Sequence, residues 1–159
     1  MKVAVVYYSM FNNTEYVANK IKEIIDCDLI RLYPVKEYPT KGLSKFFHGG
    51  KSAINNETPE LKEYNFDADK YEYVIIGSPV WASRIAPPIN TFIKDNKSKL
   101  MGKKIGGFIT SAGGSEAALD RLEEALGKKI DIRLSLISPG SKQTEEKNKQ
   151  IEEFIKGIE

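Results

Sequence analysis

Cysteine and histidine are scarce in this sequence. Its 159 residues include one cysteine, Cys27, and one histidine, His48. A single cysteine cannot form an internal disulfide, and one cysteine with one histidine is too few for a zinc or iron–sulfur ligand set. Cys27 follows an apolar helical face, so we expect it to be structural, and His48 has no nucleophile or metal ligand beside it. The sequence therefore predicts no metal site and no catalytic side chain.

Long apolar runs and a strong net charge are also absent. No run approaches the roughly 20 residues needed to span a membrane, and the chain passes from Met1 and Lys2 directly into a strand pattern without signal-peptide features. A net charge of +2 is too small to be typical of nucleic-acid binding. We expect a cytoplasmic protein, with no membrane or nucleic-acid partner, that forms a single domain over residues 1–159.

Glycine-rich nucleotide fingerprints are missing where the first strand ends. The run from Val3 to Tyr7 is apolar without alternation, which predicts a strand buried on both faces. Apolar residues then recur at helical spacing, and Asn12 with Glu15 three residues later predicts an N-cap with its capping partner. The connecting loop, residues 9–14, has neither the dinucleotide fingerprint nor the glycine-rich loop of nucleoside triphosphatases.

The polar groups of this loop nevertheless favour an anion such as phosphate. Unpaired backbone N–H groups, the positive end of the helix dipole and the hydroxyls of Ser9 and Thr14 all act in that direction. The amides of Asn12 and Asn13 supply further donors. The alternative is an ordinary strand-to-helix turn without a ligand, because Ser, Thr and Asn are common caps. On these residues alone, both interpretations stay open.

Four further strands are predicted along the chain. Segments 73–77 and 104–110 are apolar without alternation and run into loops of small and polar residues, which is typical of central strands. Segments 28–33 and 130–136 alternate, at least in part, as edge strands do. Five strands alternating with helical segments predict a parallel sheet covered by helices on both faces.

Aromatic residues near these loops are candidates for ligand contact. Trp81, the only tryptophan, follows the third strand closely, and its position favours stacking on an aromatic ligand over a place in the core. The segment 43–54 is expected to be helical only in pieces, because Gly49 and Gly50 would break or kink a helix. We assign Phe46 and Phe47 in this segment to the core.

The first loop resembles the FMN-phosphate signature of the flavodoxin family. The resemblance lies in the order Tyr8, Ser9, two residues, a small residue, one residue, Thr14, three residues, Ala18. Asn12 stands where the family usually has glycine or another small residue, and asparagine tolerates a left-handed backbone best after glycine. The runs GSPVWASRIAPPINTFI and TSAGGS resemble the second and third flavin loops, so the resemblance covers most of the chain.

This resemblance implies a fold, a cofactor and a set of binding residues. The fold is the flavodoxin-like three-layer sandwich, an α/β fold with a five-stranded parallel sheet in the order 2-1-3-4-5 and helices on both faces. The cofactor is FMN, bound in the crevice where the three loops converge. Carried over by position, Ser9, Phe11, Asn12, Asn13 and Thr14 would bind the phosphate, Pro79, Val80, Trp81 and Ala82 would contact one side of the isoalloxazine, and Ser111, Ala112, Gly113 and Gly114 would line its other edge.

Three functions follow from the sequence. The first is an FMN-binding redox protein that transfers electrons as flavodoxins do. The second is an NAD(P)H-dependent FMN reductase acting on quinones or similar small acceptors, so the choice between electron carrier and FMN-dependent oxidoreductase stays open. The third is a cofactor-free binding domain, which would result if Asn12 disrupted the phosphate loop. The expected partner is a redox protein or a small-molecule acceptor.

Overall fold

A computed structural model describes residues 1–40 and 44–158, with the side chains of all of these except residues 44–47. The prediction for Phe46 and Phe47 therefore lies outside the described side chains. The strands are β1 (Val3–Tyr7), β2 (Cys27–Arg31), β3 (Tyr73–Trp81), β4 (Arg84–Ile85), β5 (Lys104–Ser111) and β6 (Ile132–Ile137). The helices are α1 (Asn13–Ile24), α2 (Ser44–Ile54), α3 (Pro87–Leu100), α4 (Ala117–Leu126) and α5 (Glu145–Lys156), with a short 3₁₀ turn at Ala68–Lys70.

The sheet has the predicted topology. Five parallel strands pair in the order β2-β1-β3-β5-β6, and the short β4 pairs with β3 in antiparallel fashion. With β4 set aside, this is the order 2-1-3-4-5, so the predicted fold is confirmed. The chain leaves β1 for one edge of the sheet and leaves β3 for the other. The carboxyl ends of β1 and β3 therefore flank the topological switch point, where ligands bind in open α/β sheets.

The lack of alternation in the central strands has a simple cause. Val3, Val5 and Tyr7 of β1 pack in one hydrophobic cluster with side chains of α1 and α5. The intervening Ala4 and Val6 pack in a second cluster, on the opposite face, with side chains of α3 and α4. Because both faces of β1 are covered by helices, every position of the strand is buried and apolar.

The third strand is longer than its sequence pattern predicts. The apolar run was expected to end at Gly77 and open into a loop, but β3 continues to Trp81 and turns back into β4 through a two-residue hairpin. The turn residues Ala82 and Ser83 have φ values of 50° and 62°, the left-handed region that such tight turns require. The prediction was wrong here because neither glycine nor asparagine marks the turn.

Helix α2 also departs from the prediction, because it continues through Gly49 and Gly50 without a break. A Cβ atom on Gly49 would lie only 3.2 Å from Cε3 of Trp81. The low helix propensity of glycine is therefore offset by close packing of the helix backbone on the indole ring.

Cys27 begins β2 and is buried. Burial raises the pKa of its thiol to about 11, so the thiol stays protonated at neutral pH. This result supports a structural role. Among the described residues, no helix has both the length and the apolar character needed to cross a bilayer.

Glu123 of α4 is a buried carboxylate that holds the turn before β6. One of its oxygens, Oε2, accepts a hydrogen bond from Lys129 Nζ at 2.7 Å, and Oε1 accepts one from the backbone N–H of Ile130 at 3.2 Å. The Arg133 guanidinium lies 3.3 Å from Oε1. Burial raises the pKa of Glu123, but these donors and charges outweigh it, so the pKa lies below its usual value.

Replacing Glu123 with glutamine is expected to lower the free energy of unfolding by about 2 kcal/mol at neutral pH. Because the pKa is lower in the folded state, the stabilisation is fully present above the unfolded-state pKa of about 4.3 and is lost as the pH falls through the folded-state pKa. Urea unfolding at neutral pH and at about pH 3 should show the gap between wild type and variant narrowing in acid. A difference in the free energy of unfolding between wild type and variant that does not change with pH would contradict this explanation.

The control for this prediction is Glu124→Gln. It removes an exposed carboxylate that pairs with Arg121 on the same helix, and it should change the free energy of unfolding by less than about 0.5 kcal/mol.

Candidate functional site

A cleft of about 250 Å³ lies at the carboxyl ends of β1, β3 and β5, across the switch point. Three loops and one helix form its walls. It is lined by Ser9, Met10, Phe11, Asn13 and Thr14 of the first loop, Pro79, Val80, Trp81 and Ala82 of the hairpin, Thr110, Ser111 and Ala112 at the end of β5, and Gly50 of α2. Among these described residues none carries a charge.

The structure brings most of the predicted site residues together. Asn12, Gly113 and Gly114 are the exceptions, because they belong to the same loops but do not line the cleft. Sequence reasoning missed Met10, Gly50 and Thr110. Gly50 carried no signal, since a glycine within a helical segment indicates a break rather than a wall of a cleft.

The first loop is closed by Ser9, not by the predicted capping pair. The Ser9 hydroxyl accepts a hydrogen bond from the backbone N–H of Glu15 at 3.2 Å. Asn12 does precede the first residue of α1, but its side chain caps nothing, and its φ of −120° shows that the left-handed backbone is not used. The capping prediction was wrong because a serine six residues before Glu15 in the sequence reaches the same N–H group.

Unpaired donors remain in this loop. The backbone N–H groups of Asn12, Asn13 and Thr14 have no hydrogen-bond acceptor in the part of the chain that the structure describes. They surround the first turn of α1, where a helix leaves its N–H groups unpaired and where its dipole places partial positive charge. The loop is therefore able to receive an anion.

Arg31 removes an electrostatic obstacle to such an anion. The Glu15 carboxylate lies in the first turn of α1, where its charge would repel a phosphate. Arg31, at the end of β2, pairs with it at 2.8 Å and also donates a hydrogen bond to the carbonyl oxygen of Ser9 at 3.0 Å. The same guanidinium thus neutralises Glu15 and fixes the backbone of the loop.

A fourth loop, residues 138–141, supports the first loop from behind. The Asn13 side-chain oxygen accepts hydrogen bonds from the backbone N–H groups of Gly140, at 2.9 Å, and Ser141, at 3.2 Å. Gly140 packs so closely that a Cβ atom there would lie 2.8 Å from the carbonyl oxygen of Asn12. None of the three loop motifs in the sequence signals this contact.

Trp81 is held in a fixed orientation at the other end of the cleft. The rings of Tyr8 and Tyr38 meet its indole edge-on, with centroids at 5.6 and 5.1 Å. A Cβ on Gly49 would lie 3.2 to 3.4 Å from three adjacent ring atoms, and such nearly equal distances are possible only above the ring face. One face of the indole is thus covered by α2. Burial raises the pKa of both tyrosines, so they are neutral around Trp81 at neutral pH.

The floor of the cleft contains a buried pair of hydroxyls. Thr14 of α1 and Thr110 of β5 place their Oγ1 atoms 2.9 Å apart, and the two residues are 1% and 3% exposed. This hydrogen bond joins the first loop to the strand that leads into the third.

A doubly wound parallel sheet in the order 2-1-3-4-5, with a cleft at its switch point, is the arrangement of flavodoxin-like α/β proteins. The family model named Flavodoxin matches residues 2–152. The chain therefore belongs to the flavodoxin family. No curated protein matches the sequence.

Solved structures with low sequence identity share the fold. A flavoprotein from Lactobacillus acidophilus in complex with FMN is 22% identical and superposes with a TM-score of 0.76 over 97% of this chain and 98% of its own. A Bacteroides eggerthii protein assigned as a flavoprotein is 24% identical, with a TM-score of 0.77 over 99% and 97% of the two chains. Two-electron reduced flavodoxin from Megasphaera elsdenii is 20% identical, with a TM-score of 0.62 over 97% and 98%.

Proposed function

We propose that this protein binds FMN in the cleft and transfers electrons with it. The observation that carries the proposal is that one cleft joins two kinds of surface. At one end are the unpaired N–H groups of α1 and the hydroxyl of Thr14, and at the other is the indole of Trp81. FMN has the same two parts, a phosphate and a flat aromatic ring. The Lactobacillus acidophilus neighbour, solved in complex with FMN, supports this choice of ligand.

The chemistry of the lining fits FMN. No carboxylate is present among the described lining residues to repel a phosphate dianion, and Arg31 pairs with Glu15 in the first turn of α1. The cleft volume of about 250 Å³ is below the roughly 300–1,000 Å³ usual for small-molecule pockets. A bound FMN would therefore keep part of its surface in solvent, where a redox partner can approach. When bound, FMN supplies the redox-active ring, and the protein supplies binding and orientation.

In this proposal each wall of the cleft has its own task. Ser9, Asn13, Thr14 and the N–H groups around them hold the phosphate, while Trp81 and its hairpin cover one side of the ring. Ser111 and Ala112 lie at the other edge. The partner is a redox protein or a small-molecule acceptor in the cytoplasm. Because the net charge is +2, that partner need not be basic, unlike the partners expected of acidic flavodoxins.

Titrating the apoprotein with FMN tests the proposal directly. Trp81 is the only tryptophan, so fluorescence excited at a wavelength that tyrosine does not absorb reports on the cleft. Saturable quenching with one FMN per chain, and weaker binding of riboflavin, which lacks the phosphate, are the expected results. Tryptophan fluorescence unchanged by FMN, together with no retention of the flavin on gel filtration, would favour the cofactor-free binding domain instead.

Gly140→Ala is expected to weaken FMN binding about tenfold. The added methyl group would press on the carbonyl oxygen of Asn12 and push the first loop out of place, at a cost of about 1–2 kcal/mol. The dissociation constant from the fluorescence titration is the measurement. Gly102→Ala is the matched control, because a Cβ there meets nothing within 4 Å and Gly102 does not line the cleft. Equal affinities of the two variants would show that the fourth loop does not support the first.

A second candidate, NAD(P)H-dependent reduction, is favoured by one observation. A groove of about 490 Å³ adjoins β4. Its described lining includes four basic residues, Arg84, Lys94, Lys97 and Arg121, and one carboxylate, Glu124. This charge balance suits a diphosphate. Anaerobic mixing of the FMN-loaded protein with NADPH distinguishes the two functions. Rapid loss of the flavin absorption band, slowed in Lys94→Glu, would identify a reductase. Reduction of the flavin by dithionite but not by NADPH would favour the electron carrier.

A further inference from the structure

We propose that Thr110 positions the Thr14 hydroxyl as a hydrogen-bond donor to the phosphate of FMN. This inference rests on the proposed function and assigns a task to a residue that the family resemblance leaves without one. It starts from the buried hydroxyl pair at the floor of the cleft.

The two threonines come from elements that are distant in sequence. Thr14 lies in the first turn of α1 and Thr110 near the end of β5, 96 positions later. Their Oγ1 atoms are 2.9 Å apart, and both residues line the cleft although each is at least 97% buried. The pair is therefore fixed in place and touches the proposed ligand position.

One of the two hydroxyl protons of this pair has no hydrogen-bond acceptor among the described residues. Each hydroxyl has one proton and two lone pairs, and the bond between the hydroxyls uses a single proton. In the described part of the chain, neither Thr14 nor Thr110 has another hydrogen bond from its hydroxyl. A buried hydroxyl proton without an acceptor is costly. The pair thus lacks an acceptor, and the cleft beside it is where one can bind.

The position of the N-terminus of α1 determines which of the two hydroxyls donates a hydrogen bond to the phosphate. Thr14 stands among the unpaired N–H groups at the N-terminus of α1, where the dipole favours an anion. A phosphate there accepts the proton of Thr14. The Thr14 oxygen then accepts the proton of Thr110, so both protons are used. Without Thr110, the Thr14 hydroxyl is free to rotate away.

The test compares FMN with riboflavin, which lacks the phosphate. Thr110→Val keeps the shape of the side chain but removes the donor, and it is expected to weaken FMN binding about tenfold while riboflavin binding stays within about twofold of wild type. Thr110→Ser keeps the hydroxyl and should bind FMN as wild type does. If the valine variant does not fold, Thr110→Ala against Thr110→Ser gives the same comparison.

A double-mutant cycle shows whether Thr110 acts through Thr14. In a Thr14→Val background, Thr110→Val should have no further effect on FMN affinity, because the hydroxyl it positions is already gone. If the fold losses in FMN affinity of the two single variants multiplied in the double variant, the positioning role would be overturned, since Thr110 would then contact FMN independently. An unchanged FMN affinity in Thr110→Val would also overturn it.

Thr91→Val is the matched control. Thr91 is also buried, and its hydroxyl donates to the carbonyl oxygen of Pro59 at 2.7 Å, away from the cleft. Its loss should lower stability without changing the ratio of FMN to riboflavin affinity. Failure of the wild type to bind FMN would overturn the proposed function and this inference together. Wild-type FMN binding with a normal affinity ratio in Thr110→Val would overturn the inference alone.

Discussion

Gly77→Ala is expected to lower the free energy of unfolding by about 3 kcal/mol and the melting temperature by roughly 10 °C. Gly77 lies in β3 directly opposite Phe108 of β5, and the tip of the Phe108 ring fills the space where a Cβ would be. The new methyl group would come within 2.6 Å of ring atom Cε1. Because Phe108 is only 1% exposed, its ring has no free space to enter. Thermal and urea unfolding measure the effect.

Two further variants make this prediction specific. Gly102→Ala is the control, since a Cβ there meets nothing within 4 Å, and its effect should stay within about 0.5 kcal/mol. Phe108→Leu shortens the opposing side chain, so the double variant with Gly77→Ala should be less destabilised than the sum of the single variants. Equal stability of the Gly77 and Gly102 variants would rule out the close contact.

Trp81→Ala is expected to raise the dissociation constant for FMN about 30-fold, or about 2 kcal/mol. The indole is already fixed by Tyr8, Tyr38 and the backbone of Gly49, so it needs no reordering to stack on a flavin. Quenching of flavin fluorescence gives the affinity of the variant, which has no tryptophan. Trp81→Phe keeps an aromatic face and should raise the dissociation constant for FMN about threefold.

The control for Trp81 is an aromatic residue outside the cleft. Phe66 stacks on Tyr71 and meets Phe92 edge-on, and it does not line the cleft. Phe66→Leu should therefore lower stability and leave FMN affinity unchanged. If Trp81→Ala bound FMN as tightly as the wild type, the indole would serve only to pack α2 against the hairpin.

The parts of the fold that could be predicted are those that local patterns determine. The unbroken apolar runs of β1 and β5 identified buried central strands, because burial on both faces leaves no polar position. The hairpin after β3 could not be predicted, since Ala82 and Ser83 give no turn signal and adopt positive φ only through the pairing of β3 with β4. Gly49 was misleading for a similar reason. Glycine is needed at this position of α2 because the helix backbone packs on Trp81, and the local sequence does not show that contact.

The candidate site divides in the same way. Residues within the three loop motifs, such as Ser9, Trp81 and Ser111, were assigned because they follow strand ends and because these loops resemble the flavin loops of the flavodoxin family. The support given by Arg31 and Gly140 was not found, because each contact joins positions far apart in the chain. Their roles in binding FMN stay predictions until the titrations are made.

The bond between Asn13 and Gly140 also sets the order in which the site can be assembled. The two residues are 127 positions apart, so during synthesis the first loop lacks its support until the residues that follow β6 have also been made. Closing so long a loop is slow, and it comes after the local contacts of α1 with β1. A nascent chain that stops before β6 contains four of the five parallel strands but lacks the backbone N–H groups that hold the side chain of Asn13. Cofactor uptake would then mark the completion of folding.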